Sequence, residues 1–292
     1  MRPLVTVGMP VYNGEKFIRE ALDALLAQTY TDFELIISDN ASTDGTEASC
    51  RGYAGRDSRI RYVRQSENRG LIANFQFLLD EAAGKYFMWA AADDMLGTTE
   101  TLSNLVKSLD HGFELAIPDV DLLNKTRGVT SRGVLSSVFS KWEERTATEV
   151  ALQYPSFLLY GLFVTDSVRP FFKYLTRDSD LSCFNEGVFV HAVTATLRCA
   201  FVENALLIYR RHSTNLSSTV NPLTLLKSFC IYTYRVFAFY SGSSFSTLDK
   251  LGYLRVLSLK HARYTLVLLA ESGKYYWRGA VKRLRYHGDD DR

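Results

Sequence analysis

The chain has 292 residues, 47% hydrophobic and 23% charged, with a formal net charge of +2. That is a normal globular composition, enough for one large domain or a domain with an appendage. The four cysteines, Cys50, Cys183, Cys199 and Cys230, form no CxxC pair. Their scatter argues against a zinc site or a disulfide framework and fits a reducing compartment.

Leu4 to Met9 is an apolar, β-branched run and reads as a buried strand, followed by a turn from Pro10 to Gly14. A helix is predicted from about Glu15, with Phe17, Ile18, Ala21, Leu22, Leu25 and Leu26 forming one apolar stripe. Glu34 to Ser38 is a second strand. It ends in the polar cluster Asp39-Asn40-Ala41-Ser42-Thr43-Asp44-Gly45-Thr46, where Ser42 or Thr43 is expected to cap the next helix. Ile60 to Val63 is a third strand, Glu67 to Gly70 a turn, and Leu71 to Ala83 a helix. Lys85 to Ala90 is a fourth strand, and it delivers Asp93 and Asp94. Burying adjacent carboxylates without a partner costs several kcal/mol or a large pKa shift. A hard divalent cation that also holds phosphate oxygens would resolve the repulsion. The alternative is an Asp-Asp helix cap before Thr98-Thr99-Glu100.

Strands alternating with helices over residues 1–110 predict a parallel α/β sheet, and ligands of such sheets bind beyond the carboxyl ends of the strands. Three strand ends carry polar residues: Pro10 to Asn13, Asp39 to Asp44, and Asp93-Asp94. Further on, Glu114 to Pro118 reads as a strand and residues 119–145 as a loop or hairpin. Thr148 to Tyr154 has helical character that Pro155 should break, and Asn185 to Leu197 is a predicted helix. Ala200 to Val202 and Ala205 to Tyr209 read as separate apolar runs, the second leading into Arg210-Arg211-His212.

After Pro222 the composition turns aromatic and basic, with predicted helices at Leu223 to Tyr240 and Tyr253 to Glu271 around the loop Ser241 to Ser246. Residues 223–288 hold 11 Lys and Arg against two acidic residues. That asymmetry suggests an anionic partner. Aromatic residues beside the cations, as at Tyr232, Tyr234 and Arg235, suit an anionic membrane surface; the alternatives are an aromatic helix that only packs on the main domain, and nucleic acid. The start Met1-Arg2-Pro3 does not read as a signal peptide, and charges such as Lys227 and Arg235 interrupt every long apolar stretch. The expected location is cytoplasmic, peripheral on the inner face of the membrane.

No GxGxxG follows the first strand, no GxxxxGK[ST] is present, and the Gly/Arg loop of a sugar nucleotidyltransferase is missing. The motifs present are Met9-Pro10-Val11-Tyr12-Asn13-Gly14-Glu15, Ala27-Gln28-Thr29-Tyr30, Phe33 to Ile37, Asp39 to Thr46, Glu67-Asn68-Arg69-Gly70, Ala83-Gly84-Lys85-Tyr86 and Asp93-Asp94. In order and spacing they resemble the family 2 glycosyltransferases of the GT-A fold. The resemblance is strong over residues 4–110, fades through 111–180, and returns at Asn185-Glu186-Gly187 and at Tyr209 to Ser217.

The resemblance implies a GT-A domain over residues 1–222, a Rossmann-like, mostly parallel sheet flanked by helices, with a helical basic and aromatic region over 223–292. It implies an inverting transfer from a nucleotide-diphosphate sugar, a UDP-sugar favoured, to a hydroxyl on a glycan or lipid-linked acceptor in polysaccharide or glycolipid assembly. Pro10, Tyr12 and Asn13 would line the nucleoside pocket. Asp39 would accept a ring N–H, and Asn68 and Arg69 would join the donor site. Asp93 and Asp94 would hold the ribose and a Mn²⁺ or Mg²⁺ ion. Arg211 and His212 would approach the diphosphate, with His212 also a metal ligand. The family's further Asp before this pair is Ala91 here, and the Asp of its Glu-Asp helix start is Gly187. Glu186 is then the candidate base, with Asp178 and Asp180 as rivals. The alternatives are a nucleotide-sugar-binding protein without turnover and a sugar nucleotidyltransferase.

Overall fold

The computed structural model describes residues 3–124, 128–136, 155–175, 185–211 and Val236. The chain divides into two compact units, and the first, residues 1–177 with 189–212, contains the sheet.

The first half alternates strand and helix. β1 (Val5–Val11), α1 (Ile18–Leu26), β2 (Phe33–Asp39), α2 (Thr46–Ala54), β3 (Ile60–Arg64), α3 (Leu71–Glu81) and β4 (Tyr86–Trp89) follow in turn. The order β3-β2-β1-β4 is parallel throughout, so the carboxyl ends of these strands share one edge. Then come β5 (Met95–Leu96), α4 (Thr101–Asp110), β6 (Leu115–Asn124) and β7 (Gly128–Ser131), the last two forming an antiparallel pair. α5 (Pro155–Leu158), β8 (Leu162–Val164), α6 (Thr165–Val168) and a 3₁₀ turn at Arg169–Tyr174 lead to α7 (Asn185–Thr196) and β9 (Cys199–Arg211). The sheet continues past β4 as β8-β6-β9-β5, with β8 antiparallel to both of its neighbours and β6 parallel to β9. It is a mostly parallel mixed sheet.

Strand alternation sorts the core into two layers. Val5, Val7 and Met9 of β1 and Leu35 and Ile37 of β2 pack on α1, α2 and α4 through Ile18, Leu22, Cys50, Leu102 and Leu105. Ile36, Phe87 and Trp89 face the other layer, with Phe75 and Leu78 of α3 and Phe189 and Val193 of α7. Gly8 is the point of closest approach to α3. A Cβ there would stand 3.0 Å from Leu78 Cβ and 3.0 Å from Phe87 Cζ. Trp89, the last residue of β4, is fully buried; it stacks on Phe75 at 5.6 Å and meets Phe87 edge-on at 4.7 Å. Its Nε1–H donates to Phe75 O at 3.2 Å. These contacts fix the strand end from which the two aspartates depart.

Several local expectations change. Neither Ser42 nor Thr43 caps α2: the helix starts at Thr46 after Gly45, and Asp44 Oδ1 accepts the Thr46 N–H at 3.1 Å. Asp93-Asp94 is not a helix cap, because β5 intervenes and α4 begins only at Thr101. Pro155 opens a short helix, as suits a residue with no N–H to satisfy at a first turn. The runs at 200–202 and 205–209 are one strand, β9. Its register on β6 jumps from Pro118↔Val202 to Asp119↔Leu206, so Glu203, Asn204 and Ala205 form the irregularity.

The expected helices at 148–154, 223–240 and 253–271 lie outside the described residues, as do Asp178, Asp180 and His212. Among the described residues no helix is long and apolar enough to cross a membrane.

Candidate active site

The loops after β1 and β2 are bound to each other by side chains from both. Asn13, in the left-handed region at φ 53°, donates its N–H to Ser42 Oγ at 2.9 Å. Its Oδ1 accepts the Thr43 N–H at 2.8 Å. Gly14 N–H donates to Thr46 Oγ1 at 2.8 Å, and Gly45 N–H to Glu15 Oε2 at 3.0 Å. Tyr12, between β1 and this clamp, is 49% exposed. Pro10 is part of β1, paired in register with Ser38.

Asp39 closes β2 and is fully buried. Its Oδ1 accepts the Ser42 N–H at 2.8 Å. Its Oδ2 accepts the Tyr62 hydroxyl at 2.6 Å and Arg64 Nη1 at 3.0 Å. Burial and the hydrogen bond to Asp39 hold the Tyr62 hydroxyl well above the usual phenol range. Arg64 also donates to Ser42 O at 2.9 Å and lies 3.3 Å from Glu47. Asp39 is therefore a carboxylate held as an acceptor by three donors.

Asn40, 3% exposed, links three strand ends. Its N–H donates to Val11 O at 2.9 Å, its Nδ2 to Asn68 Oδ1 at 2.7 Å, and its Oδ1 accepts the Arg69 N–H at 2.9 Å. Asn68 Oδ1 also accepts the Gly70 N–H, and Gly70 takes φ 82°, a conformation that suits glycine. Asn68 and Arg69 are thus brought to the edge that carries Tyr12 and Asp39. Leu71, the first residue of α3, is 49% exposed there.

Asp93 and Asp94 leave β4 in a tight turn. Asp94 is 4% exposed, and its Oδ1 accepts the Arg210 N–H at 2.8 Å. Burial, then the charge of Asp93, push its carboxyl well above the usual range, against the lowering effect of Arg210. Hard carboxylate oxygens next to an open edge suit Mg²⁺ or Mn²⁺, which take one or two carboxylates and complete their shell with phosphates and water. Among the described residues no three His, Cys, Asp or Glu side chains gather around one point.

The family model for glycosyl transferase family 2 matches residues 6–160, more than half of the chain. The chain belongs to glycosyl transferase family 2. Glycosyltransferase GlyA of Streptococcus pneumoniae is 30% identical over 125 residues, which is 43% of this chain but 18% of that protein. The chain therefore spans under a fifth of that relative's length. Among solved structures, S. aureus TarS in complex with UDP-GlcNAc aligns with 88% of this chain and 72% of its own, at TM-score 0.70 and 19% identity. Mannosyltransferase PcManGT from Pyrobaculum calidifontis, in complex with GDP-Man and Mn²⁺, aligns with 95% and 88%, at TM-score 0.57 and 20% identity. These likenesses establish the GT-A fold.

Within this family 2 domain, Pro10 and Asp39 lie in the last residues of β1 and β2, and Tyr12, Asn13, Asn68, Arg69, Asp93 and Asp94 in the loops that follow β1, β3 and β4, at one edge of one sheet. Glu186 is the second residue of α7 and Arg211 the last of β9. The side chains of both, and all of His212, lie outside the described structure. Asn40, Tyr62 and Arg64 escape a motif reading. Asn40 is one polar residue among many in its cluster, and Arg64 meets Asp39 only through the β2–β3 register, in which the two are paired.

Proposed function

We propose that this chain transfers a sugar from a nucleotide-diphosphate donor to an acceptor hydroxyl with inversion, assisted by Mn²⁺ or Mg²⁺. The observation that carries the reading is the buried Asp94 beside Asp93, on the same sheet edge as the exposed Tyr12 and the buried acceptor Asp39. Tyr12 offers a face to a nucleobase, and Asp39 and Arg69 polar contacts to it. Asp93 and Asp94 hold the ribose and cation. The cation, when bound, neutralises charge on the diphosphate. Donor complexes of the GT-A neighbours, UDP-GlcNAc on TarS and GDP-Man on PcManGT, support a nucleotide-sugar donor. We favour a UDP-sugar and a glycan or lipid-linked acceptor.

In the reaction the acceptor oxygen forms a bond to the anomeric carbon as the bond to the diphosphate oxygen breaks on the opposite face. Glu186 takes the acceptor's proton, reaching from one residue earlier the point where Gly187 offers no carboxylate. Arg211 and His212 meet the charge on the departing diphosphate. Glu186→Gln keeps shape and removes the proton acceptor, so transfer falls by about 10²–10⁴-fold while donor affinity stays. Full transfer in this variant moves the role to Asp178 or Asp180. Ala91 and Gly187 also motivate a second reading, donor binding without turnover; it holds if no acceptor leads to donor consumption.

A further inference from the structure

Arg210 lies in the basic segment Tyr209 to His212, yet its side chain is 2% exposed. Its Nη2 is 2.6 Å from Glu20 Oε2 on α1, and its guanidinium stands 4.7 Å over the Phe17 ring. Nη2 also lies 3.4 Å from Met95 Sδ, immediately after Asp94. The backbone N–H of the same residue donates to Asp94 Oδ1. One residue of β9 thus ties the Asp93–Asp94 turn, β5 and α1 together.

A buried guanidinium persists only where its charge is matched. The Asp94 carboxyl takes the backbone N–H of Arg210, and Met95, the next residue, lies against the guanidinium. Glu20 is 55% exposed and holds the close contact. We infer that Glu20 and Arg210 are a positioning pair for the donor site. Arg210 fixes Asp94 through its backbone, and Glu20 draws the guanidinium charge to itself, leaving the Asp93–Asp94 carboxylates to a divalent cation and its diphosphate. The inference rests on the donor-site reading above.

The test is calorimetric titration of the full chain with UDP and GDP, each with and without MnCl₂. The parent is compared with Glu20→Gln, an isosteric change at a half-exposed position, and thermal melting checks its folding. Once Glu20 is neutral, the guanidinium pairs with the aspartates and competes with the cation. The expected result is a loss of about 10–100-fold in Mn²⁺-dependent affinity, the size typical for a ligand's supporting partner. Metal-free affinity is unchanged. Equal Mn²⁺-dependent affinities in parent and variant overturn the pair's role while leaving the donor site standing. A parallel loss with and without Mn²⁺ makes Glu20 structural only and overturns it too. A parent that binds neither nucleotide in Mn²⁺ overturns the donor-site reading, and this inference falls with it.

Discussion

Asp94 is a buried carboxyl that costs the fold stability. A carboxyl 4% exposed and next to Asp93 is held above its usual pKa by burial first and by the neighbouring charge second. For a carboxyl whose folded pKa is raised, the folded protein gains stability as pH falls through that pKa toward the unfolded value and loses it as pH rises back through it. Asp94→Asn removes the charge but keeps an oxygen for the Arg210 N–H. At neutral pH and without metal it should stabilise the protein by about 1 kcal/mol, read as a rise in Tm, and the gap should close as pH is lowered. A lower Tm for the variant at pH 7 contradicts the penalty. At this scale the sequence discloses residue types but not partners. Asp39 stands out as the acid closing an apolar run. That Tyr62 and Arg64 hold it follows from strand register, which no spacing in the sequence encodes.

The elements divide by how local their causes are. β1 to β4 are β-branched or aromatic runs with clear turn residues between them, and the alternating pattern specifies a parallel sheet before any contact is known. β9 is different. Its two apolar halves are separated by Glu203 and Asn204, so only the partner strand β6 makes them one element. The tight approach of α3 to β1 hangs on Gly8. Gly8→Ala places a methyl at 3.0 Å from Leu78 Cβ, which cannot withdraw unless the helix moves. Overpacking of this kind costs about 1–3 kcal/mol, seen as a lower urea midpoint at unchanged slope. An unchanged midpoint contradicts the close packing assigned to this pair.

Across the whole molecule, the GT-A fold and the edge where the polar loops meet are legible because they are written in the first 110 residues. The roles proposed for Glu186, Arg211 and His212 rest on the resemblance alone, since Gly187 departs from the family pattern and these side chains lie outside the described residues. The basic, aromatic stretch over 223–288 is proposed to dock on an anionic membrane surface, each cation adding about 1 kcal/mol near the headgroups. Flotation with phosphatidylserine liposomes at low salt should carry the full chain upward, and a chain that stays at the bottom of the gradient contradicts docking. The central claim is that the Asp93–Asp94 turn and Asp39 serve one nucleotide-sugar site, and calorimetry of UDP and GDP with and without Mn²⁺ tests it most directly. Asp94→Ala should abolish the Mn²⁺-dependent part of nucleoside diphosphate affinity, and Asp39→Ala should weaken even the metal-free nucleoside. Affinities equal to the parent's in both variants would place the donor elsewhere.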